Sequence, residues 1–123
     1  MMKIYTSYFA MMRNFPKNIV PIAICAKPPA WYDGLVYKKL APSFDILMQY
    51  KHQPNVELYT QRFVSEIINN LDFKKVIKEL EQLSGGKDIA LLCFEKPSDF
   101  CHRQLVSKHM NELGYNVSEF KKS

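Results

Sequence analysis

The chain has 123 residues, 47% of them hydrophobic and 24% charged, as in a soluble globular protein of one compact domain, residues 1–123. No apolar run reaches the roughly 20 residues that span a bilayer, and residues 1–8 lack a signal-peptide core, so we expect neither a membrane segment nor a secretory leader. The three cysteines are odd in number and irregularly spaced. This pattern predicts no disulfide framework and favours a cytoplasmic location.

The net charge of +5 is concentrated at one end of the chain. Residues 1–44 hold six basic groups and one acid, whereas basic and acidic groups cancel in the remaining 79 residues. The same segment contains eight aromatic residues. Cations beside aromatic rings suit a ligand that carries a phosphate and a base, although core aromatics under a solvated basic surface would give the same composition.

The first half of the chain predicts two strands, a long irregular segment and a helix. Residues 3–9 and 19–25 are short runs rich in β-branched, aromatic or other apolar side chains, which is typical of strands, and the link between them has room for one helical turn. Residues 27–42 contain several turn-forming pairs and form a long loop, and long loops are usually functional or flexible. Ser43 then caps a helix that runs to Tyr50.

The second half alternates helices with strands. Apolar residues at helical spacing predict helices over residues 56–71 and 73–84, the second capped by Asp72 and ended by two glycines. Residues 88–94 are the clearest buried strand, Ser98 or Asp99 begins a last helix, and residues 115–120 form a closing strand. This order predicts a three-layer α/β fold in which a short, mainly parallel sheet is flanked by helices.

The carboxyl edge of the predicted sheet is the expected ligand site, since parallel α/β sheets bind ligands beyond the carboxyl ends of their strands. Polar chemistry is densest in residues 91–103, LLCFEKPSDFCHR, which leave a buried strand and enter a helix. The unpaired N–H groups of a helix start attract anions, and Arg103 could add a bidentate clamp. A thiol there, beside Arg103 and His102, is expected to have a lowered pKa.

Residues 91–103 resemble the signature of the family known only as domain of unknown function 488, in which a Cys-x-Glu strand end precedes a Cys-His-Arg helix start. Residues 4–9 and 37–42 resemble the small-protein branch of that family. The family is uncharacterised, so the resemblance implies a site and no reaction. Larger relatives have Asp-Val-Arg at the end of the second strand, where this chain reads Ile24-Cys25-Ala26-Lys27. The implied site positions are Cys93, Glu95, Cys101, His102 and Arg103.

The leading hypothesis is recognition of an anionic nucleotide-type ligand in a pocket between the strand end and the helix start. A free nucleotide derivative is favoured over a nucleic-acid backbone, because a chain of this size with six basic residues in its N-terminal third does not assure a long phosphate track. In this reading the helix start and Arg103 hold the phosphate while an aromatic ring packs on the base. The predicted ligand-binding residues are Cys93, Arg103, Tyr8, Lys27, Trp31 and Tyr32.

Four other interpretations remain open from the sequence. An enzyme would act on the same kind of ligand through Glu95 or through a thiol site of Cys101 and His102. Zinc suits the side chains of Cys93, Glu95, Cys101 and His102, but consecutive helical residues point about 100° apart, so zinc is disfavoured and no metal is predicted. A structural role would pair Glu95 with Arg103 and place His102 on a backbone carbonyl. A protein partner could dock on residues 27–42.

Overall fold

A parallel β-sheet forms the centre of the computed structural model, which describes residues 2–95 and 100–122. Within those residues five strands pair in the order β3-β2-β4-β1-β5, and all of the pairs are parallel. The central strand β4 is buried over its last five residues, as its apolar sequence predicts. The strands are β1 (Ile4–Tyr8), β2 (Ile19–Ala23), β3 (Leu35–Val36), β4 (Asp88–Cys93) and β5 (Val117–Glu119).

The α-helices of the described residues begin at local capping signals. The Ser43 hydroxyl accepts the Ile46 N–H (3.3 Å), the Asn55 side chain accepts the Leu58 N–H (3.0 Å), and the Asp72 carboxylate accepts the Lys74 N–H (3.1 Å). The third helix ends at Gly85, which has a φ of 67°, a conformation that suits glycine. The helices are α1 (Phe44–His52), α2 (Val56–Glu66), α3 (Phe73–Ser84) and α4 (His102–Glu112).

The two faces of the sheet bury two separate cores. On β4, Ile89 and Leu91 belong to a large core that also takes side chains from all four helices. Ala90 and Leu92 face the opposite way and pack in a smaller core that contains Phe9, from a 3-10 helix at Phe9–Asn14, with Tyr32 against it. The predicted three-layer α/β fold with a parallel sheet is confirmed. None of the described helices is long and apolar enough to cross a membrane.

The structure corrects several predicted boundaries; the strands are shorter than predicted, and the first helix runs to His52 instead of Tyr50. The segment over residues 27–42 is not wholly irregular, since it contains β3 and a 3-10 helix at Lys38–Leu40. The helix predicted over residues 56–71 ends at Glu66 and is followed by a 3-10 helix at Ile68–Asn70.

The last helix begins at His102 instead of Ser98 or Asp99, both of which lie outside the described residues. Cys101 is its N-cap, with extended backbone, and the Cys101 N–H donates to the Gln104 side chain (3.4 Å). The Gln104 side chain, at the third position of the helix, thus caps the backbone at the point where the helix begins.

Candidate functional site

A cavity of about 240 Å³ lies at the carboxyl ends of β2 and β4, where a parallel sheet is expected to bind ligands. Residues from α1, from α2 and from the start of α4 also line it. We call it the strand-end cavity. Its lining comprises Cys25, Ala26, Lys27, Pro42, Leu47, Tyr50, Tyr59, Cys93, Phe94, Glu95, Phe100, Cys101 and His102.

The three cysteines of the chain all line the strand-end cavity. Cys93 ends β4, Cys101 caps α4, and their sulfur atoms are joined as a disulfide. The odd cysteine count did not predict this bond, which joins the end of β4 to the N-cap of α4, eight positions later in the sequence. Cys25 is a buried free thiol, and burial raises its pKa to about 11, so it stays protonated and inert.

His102 is buried at the start of α4 and has a defined tautomer. Its Nε2 lies 2.6 Å from the carbonyl oxygen of Ile24, at the end of β2. A carbonyl oxygen only accepts hydrogen bonds, so Nε2 carries the proton and Nδ1 keeps a lone pair. That Nδ1 lies 3.8 Å from Cys101 Sγ. Burial lowers the pKa of His102 to about 4, so the ring is neutral near pH 7.

Arg103 is fully buried behind the strand-end cavity and does not line it. Its Nε and Nη2 donate to the two carboxylate oxygens of Glu119 on β5 (3.2 and 3.1 Å). Its Nη1 donates to the Glu95 carbonyl oxygen (2.6 Å) and to Cys93 Sγ (3.4 Å). The guanidinium also lies 5.9 Å from the centre of the Tyr8 ring. These contacts give Arg103 the role of positioning the end of β4.

The described ligand atoms of Cys93, Cys101 and His102 all lie within 4.8 Å of one another, which is close enough to share one metal ion. We call these three residues the Cys–His site. Zinc was disfavoured from the sequence because Cys101 and His102 were both assigned to a helix. Cys101 instead has extended backbone as the N-cap (φ −149°, ψ 146°), so the two side chains converge and that objection no longer holds. Glu95 lines the strand-end cavity beside this cluster.

Five of the nine predicted site residues line the strand-end cavity together: Lys27, Cys93, Glu95, Cys101 and His102. Four others, all within the described part of the chain, do not: Tyr8, Trp31, Tyr32 and Arg103. Trp31 and Tyr32 pack edge-on against Phe9 at the smaller core, and the Tyr32 hydroxyl donates to the Leu35 carbonyl oxygen (2.5 Å). Trp31 and Tyr32 therefore do not line the cavity, although Phe9, on which they pack, contacts Phe94 of the lining.

Phe94 lines the strand-end cavity, as do three aromatic residues that the sequence did not single out, Tyr50, Tyr59 and Phe100. Phe94 packs on Phe9 (5.1 Å between ring centres), and the other three form what we call the aromatic wall. Their rings pack on one another, Tyr59 edge-on to Phe100 at 5.1 Å and Tyr50 at 6.1 Å from Phe100. Tyr59 precedes the buried Phe63 by four residues, so its helical spacing was a signal that could have placed it inward. Burial, and secondarily the charge of Glu95, raise the pKa of Tyr59, as expected if that carboxylate is near the same cavity.

Comparison with protein families gives one match, to a family model described as the active DUF488-N3 subclade (DUF488-N3a), which covers residues 10–114. The matched region includes the strand-end cavity and all three residues of the Cys–His site. No curated protein and no solved structure matches this chain.

Proposed function

Because this chain belongs to the DUF488 family, in a subclade that is described as active, we propose that it is an enzyme that acts on a small nucleotide-type molecule in the strand-end cavity. One observation carries this proposal: an aromatic wall and a set of proton-transferring groups line the same cavity. A concave, mostly apolar site with a few polar groups at one end is typical of sites that bind and orient small molecules.

The aromatic wall supports a ligand with a planar ring. Tyr50 and Phe100 are half-buried, so part of each ring remains available to a ligand, and Tyr59 closes the wall behind them. Rings of this kind stack on any nucleobase. The cavity volume of about 240 Å³ is below the roughly 300–1,000 Å³ that is usual for small-molecule sites, which favours a single nucleoside or mononucleotide over a polymer.

Lys27 is the cation of the described lining and the group that would meet a negatively charged substituent. It is exposed at the end of β2. Arg103 cannot serve in the same way, because its N–H groups are directed at Glu119, Glu95 and Cys93. The anion contact that the sequence placed on Arg103 is therefore proposed for Lys27.

Two groups can move protons at the chemical end of the cavity. The neutral His102 ring offers its Nδ1 lone pair, and the exposed Glu95 carboxylate lines the same cavity. General acid–base catalysis by a placed side chain contributes typically about 10²–10⁴-fold in rate. Glu95 is the residue that this proposal holds responsible for proton transfer to or from the substrate.

Turnover of a panel of nucleosides and nucleotides tests the proposal, with melting temperature as the binding measurement and mass spectrometry of the products as the measurement of reaction. We expect one compound to raise the melting temperature and to be converted. Glu95→Gln should keep the shift and lower turnover about 100-fold or more. Glu81→Gln, on α3 away from the cavity, is the matched control and should keep both. If no compound either binds or reacts, the proposal fails.

Thiol–disulfide chemistry is a second candidate, favoured by the Cys93–Cys101 disulfide at the wall of the cavity. Arg103 Nη1 donates to Cys93 Sγ, and a buried cation beside a sulfur stabilises its thiolate after reduction. Two variants distinguish the two candidates. A redox enzyme would lose turnover in Cys93→Ser and keep it in Glu95→Gln.

A further inference from the structure

We infer that the reduced protein binds one zinc ion at the Cys–His site, through Cys93 Sγ, Cys101 Sγ and His102 Nδ1. The inference rests on the proposed function, since it assigns a metal to the chemical end of the same cavity. The three ligand atoms lie within 4.8 Å of one another. A sulfur at about 2.3 Å and a nitrogen at about 2.0 Å from one zinc lie roughly 3.6 Å apart, and Cys101 Sγ is 3.8 Å from His102 Nδ1.

The histidine is already prepared for metal binding. Its Nε2–H donates to the Ile24 carbonyl oxygen, which leaves the Nδ1 lone pair free on the side of the ring that contacts Cys101 Sγ (3.8 Å). Zinc-bound histidines almost always donate their second N–H to a carbonyl or carboxylate in this way, which fixes the tautomer and the ring plane. The Ile24 contact thus supplies the outer hydrogen bond that a histidine ligand requires.

The charges of the surroundings also suit a zinc ion. Reduction of the disulfide frees two thiols, and two thiolates with a neutral imidazole cancel the charge of Zn²⁺. Arg103 donates to Cys93 Sγ, while its own charge is balanced by Glu119. A buried site with no net charge avoids the cost of an uncompensated buried ion.

The fourth ligand position would face the strand-end cavity, because the three protein ligands all lie in its wall. Three protein ligands with one open position is the arrangement of catalytic zinc sites, where zinc lowers the pKa of a bound water to about 7. Because zinc would occupy the Nδ1 lone pair of His102, Glu95 in the same lining is the group that would accept the proton lost by this water. In the inferred hydrolysis, the oxygen of this water would bond to the electrophilic carbon or phosphorus of the ligand, the bond from that atom to its leaving group would break, and the leaving group would take up the proton held by Glu95.

Titration of the reduced, chelator-treated full-length protein with Co²⁺ and Zn²⁺ tests this inference. Cobalt takes the same ligands and absorbs visible light in a tetrahedral thiolate site, so we expect an absorption band that saturates at one ion per chain and is displaced by zinc. Cys93→Ser, Cys101→Ser and His102→Gln should each weaken binding more than 10-fold. Cys25→Ser is the matched control, because Cys25 lines the same cavity outside the Cys–His site, and it should bind as the wild type does.

Either of two titration results would overturn the inference: no cobalt band in a wild-type protein whose thiol titration shows three free thiols, or a loss of binding in Cys25→Ser equal to that in the ligand variants. Alkylation of the reduced, folded wild-type protein, measured with and without zinc, tests the inference without any variant. Zinc should slow modification of Cys93 and Cys101 at least 10-fold, and equal rates would also overturn the inference. Conversion of a nucleotide by a protein that does not bind zinc would contradict this inference and support the proposed function. A protein that binds zinc but neither binds nor converts a nucleotide would support the zinc site and contradict the proposed function.

Discussion

Arg103 connects the outer strand β5 to the end of the central strand β4. Its side chain is 0% exposed and makes a two-point ion pair with Glu119, a hydrogen bond to the Glu95 carbonyl oxygen and a contact with Cys93 Sγ. Bidentate arginine–carboxylate pairs add geometric specificity as well as energy. The arginine therefore sets where the Cys93 sulfur and the Glu95 backbone lie relative to the strand-end cavity.

We predict that Arg103→Ala destabilises the protein by about 3–5 kcal/mol, because it leaves the Glu119 carboxylate and the Glu95 carbonyl without their cationic partner. Urea unfolding followed by circular dichroism measures this loss. Arg62→Ala removes a surface ion pair with Glu66 and should change stability far less. A folded Arg103→Ala protein with unchanged stability and lost nucleotide affinity would instead support the anion clamp that the sequence predicted.

His102 makes the folding stability depend on pH: because burial lowers its pKa, the protein loses stability as the pH falls. Its pKa is about 4 in the folded protein and 6.5 in the unfolded chain, so between these values the unfolded chain binds more protons. Lowering the pH from 7 to 5 should therefore cost the metal-free, disulfide-bonded protein about 2 kcal/mol of stability from this group. Urea unfolding at both pH values measures the loss.

His102→Gln should remove that part of the pH dependence, and His52→Gln, at the exposed end of α1, should retain it. An equal loss in the His102→Gln protein would show that other groups cause the pH dependence.

At the level of elements, the features that the sequence predicted are those with a local signal. Ser43 and Asp72 cap α1 and α3 as expected, and Gly85 ends α3, because capping depends on residues within one turn. The buried strand β4 was also recognisable, since a strand covered on both faces is a continuous apolar run. The strand β3 had no such signal: its two residues pair with Ile22 and Ala23, so only the folded sheet defines it.

In the candidate site, too, the sequence predicts the residues that are close together along the chain and misses the contacts that depend on tertiary packing. The sequence predicts Cys93, Glu95, Cys101 and His102 together, because all four fall within ten consecutive residues that join the end of β4 to the start of α4. The sequence does not predict that Arg103 pairs with Glu119, because Glu119 lies on β5, whose position in the sheet is set by its pairing with β1. The aromatic wall was missed for the same reason, as it depends on how α1 and α2 pack.

Tyr50, the residue of the aromatic wall on α1, gives a prediction that distinguishes base binding in the cavity from base binding at Trp31. Tyr50→Ala should weaken nucleotide binding about 5- to 150-fold, because one stacked ring contributes about 1–3 kcal/mol to base binding. Trp31→Ala should leave affinity unchanged, since Trp31 is 62% exposed and packs near Phe9 outside the cavity. Titration calorimetry with the nucleotide found in the panel measures both. The reverse result would place the base on the residues 27–42 segment, as the sequence predicted.

For the whole molecule, a single basic residue of the positively charged N-terminal third lines the described part of the strand-end cavity. The six basic residues of the N-terminal third include Lys27, which lines the cavity, while Arg13 lies on the 3-10 helix after β1 and Lys39 pairs with Glu79. The charge asymmetry that first suggested a phosphate ligand is therefore spread over several surfaces. A spread of this kind raises the general attraction of anions to the protein without forming a continuous track for a polymer.

The dependence of binding on salt tests whether the ligand is a small molecule or a nucleic acid. A nucleotide held by Lys27 should lose less than about 10-fold in affinity between 50 and 200 mM salt, whereas six to ten phosphate contacts with a duplex cost roughly 10³–10⁵-fold. Fluorescence anisotropy with a labelled mononucleotide and a short DNA duplex compares the two. Lys27→Gln should remove most of the salt dependence, and Lys17→Gln, exposed in the same third of the chain, should preserve it. A duplex that binds more tightly than the mononucleotide, with the steeper dependence, would identify nucleic acid as the partner.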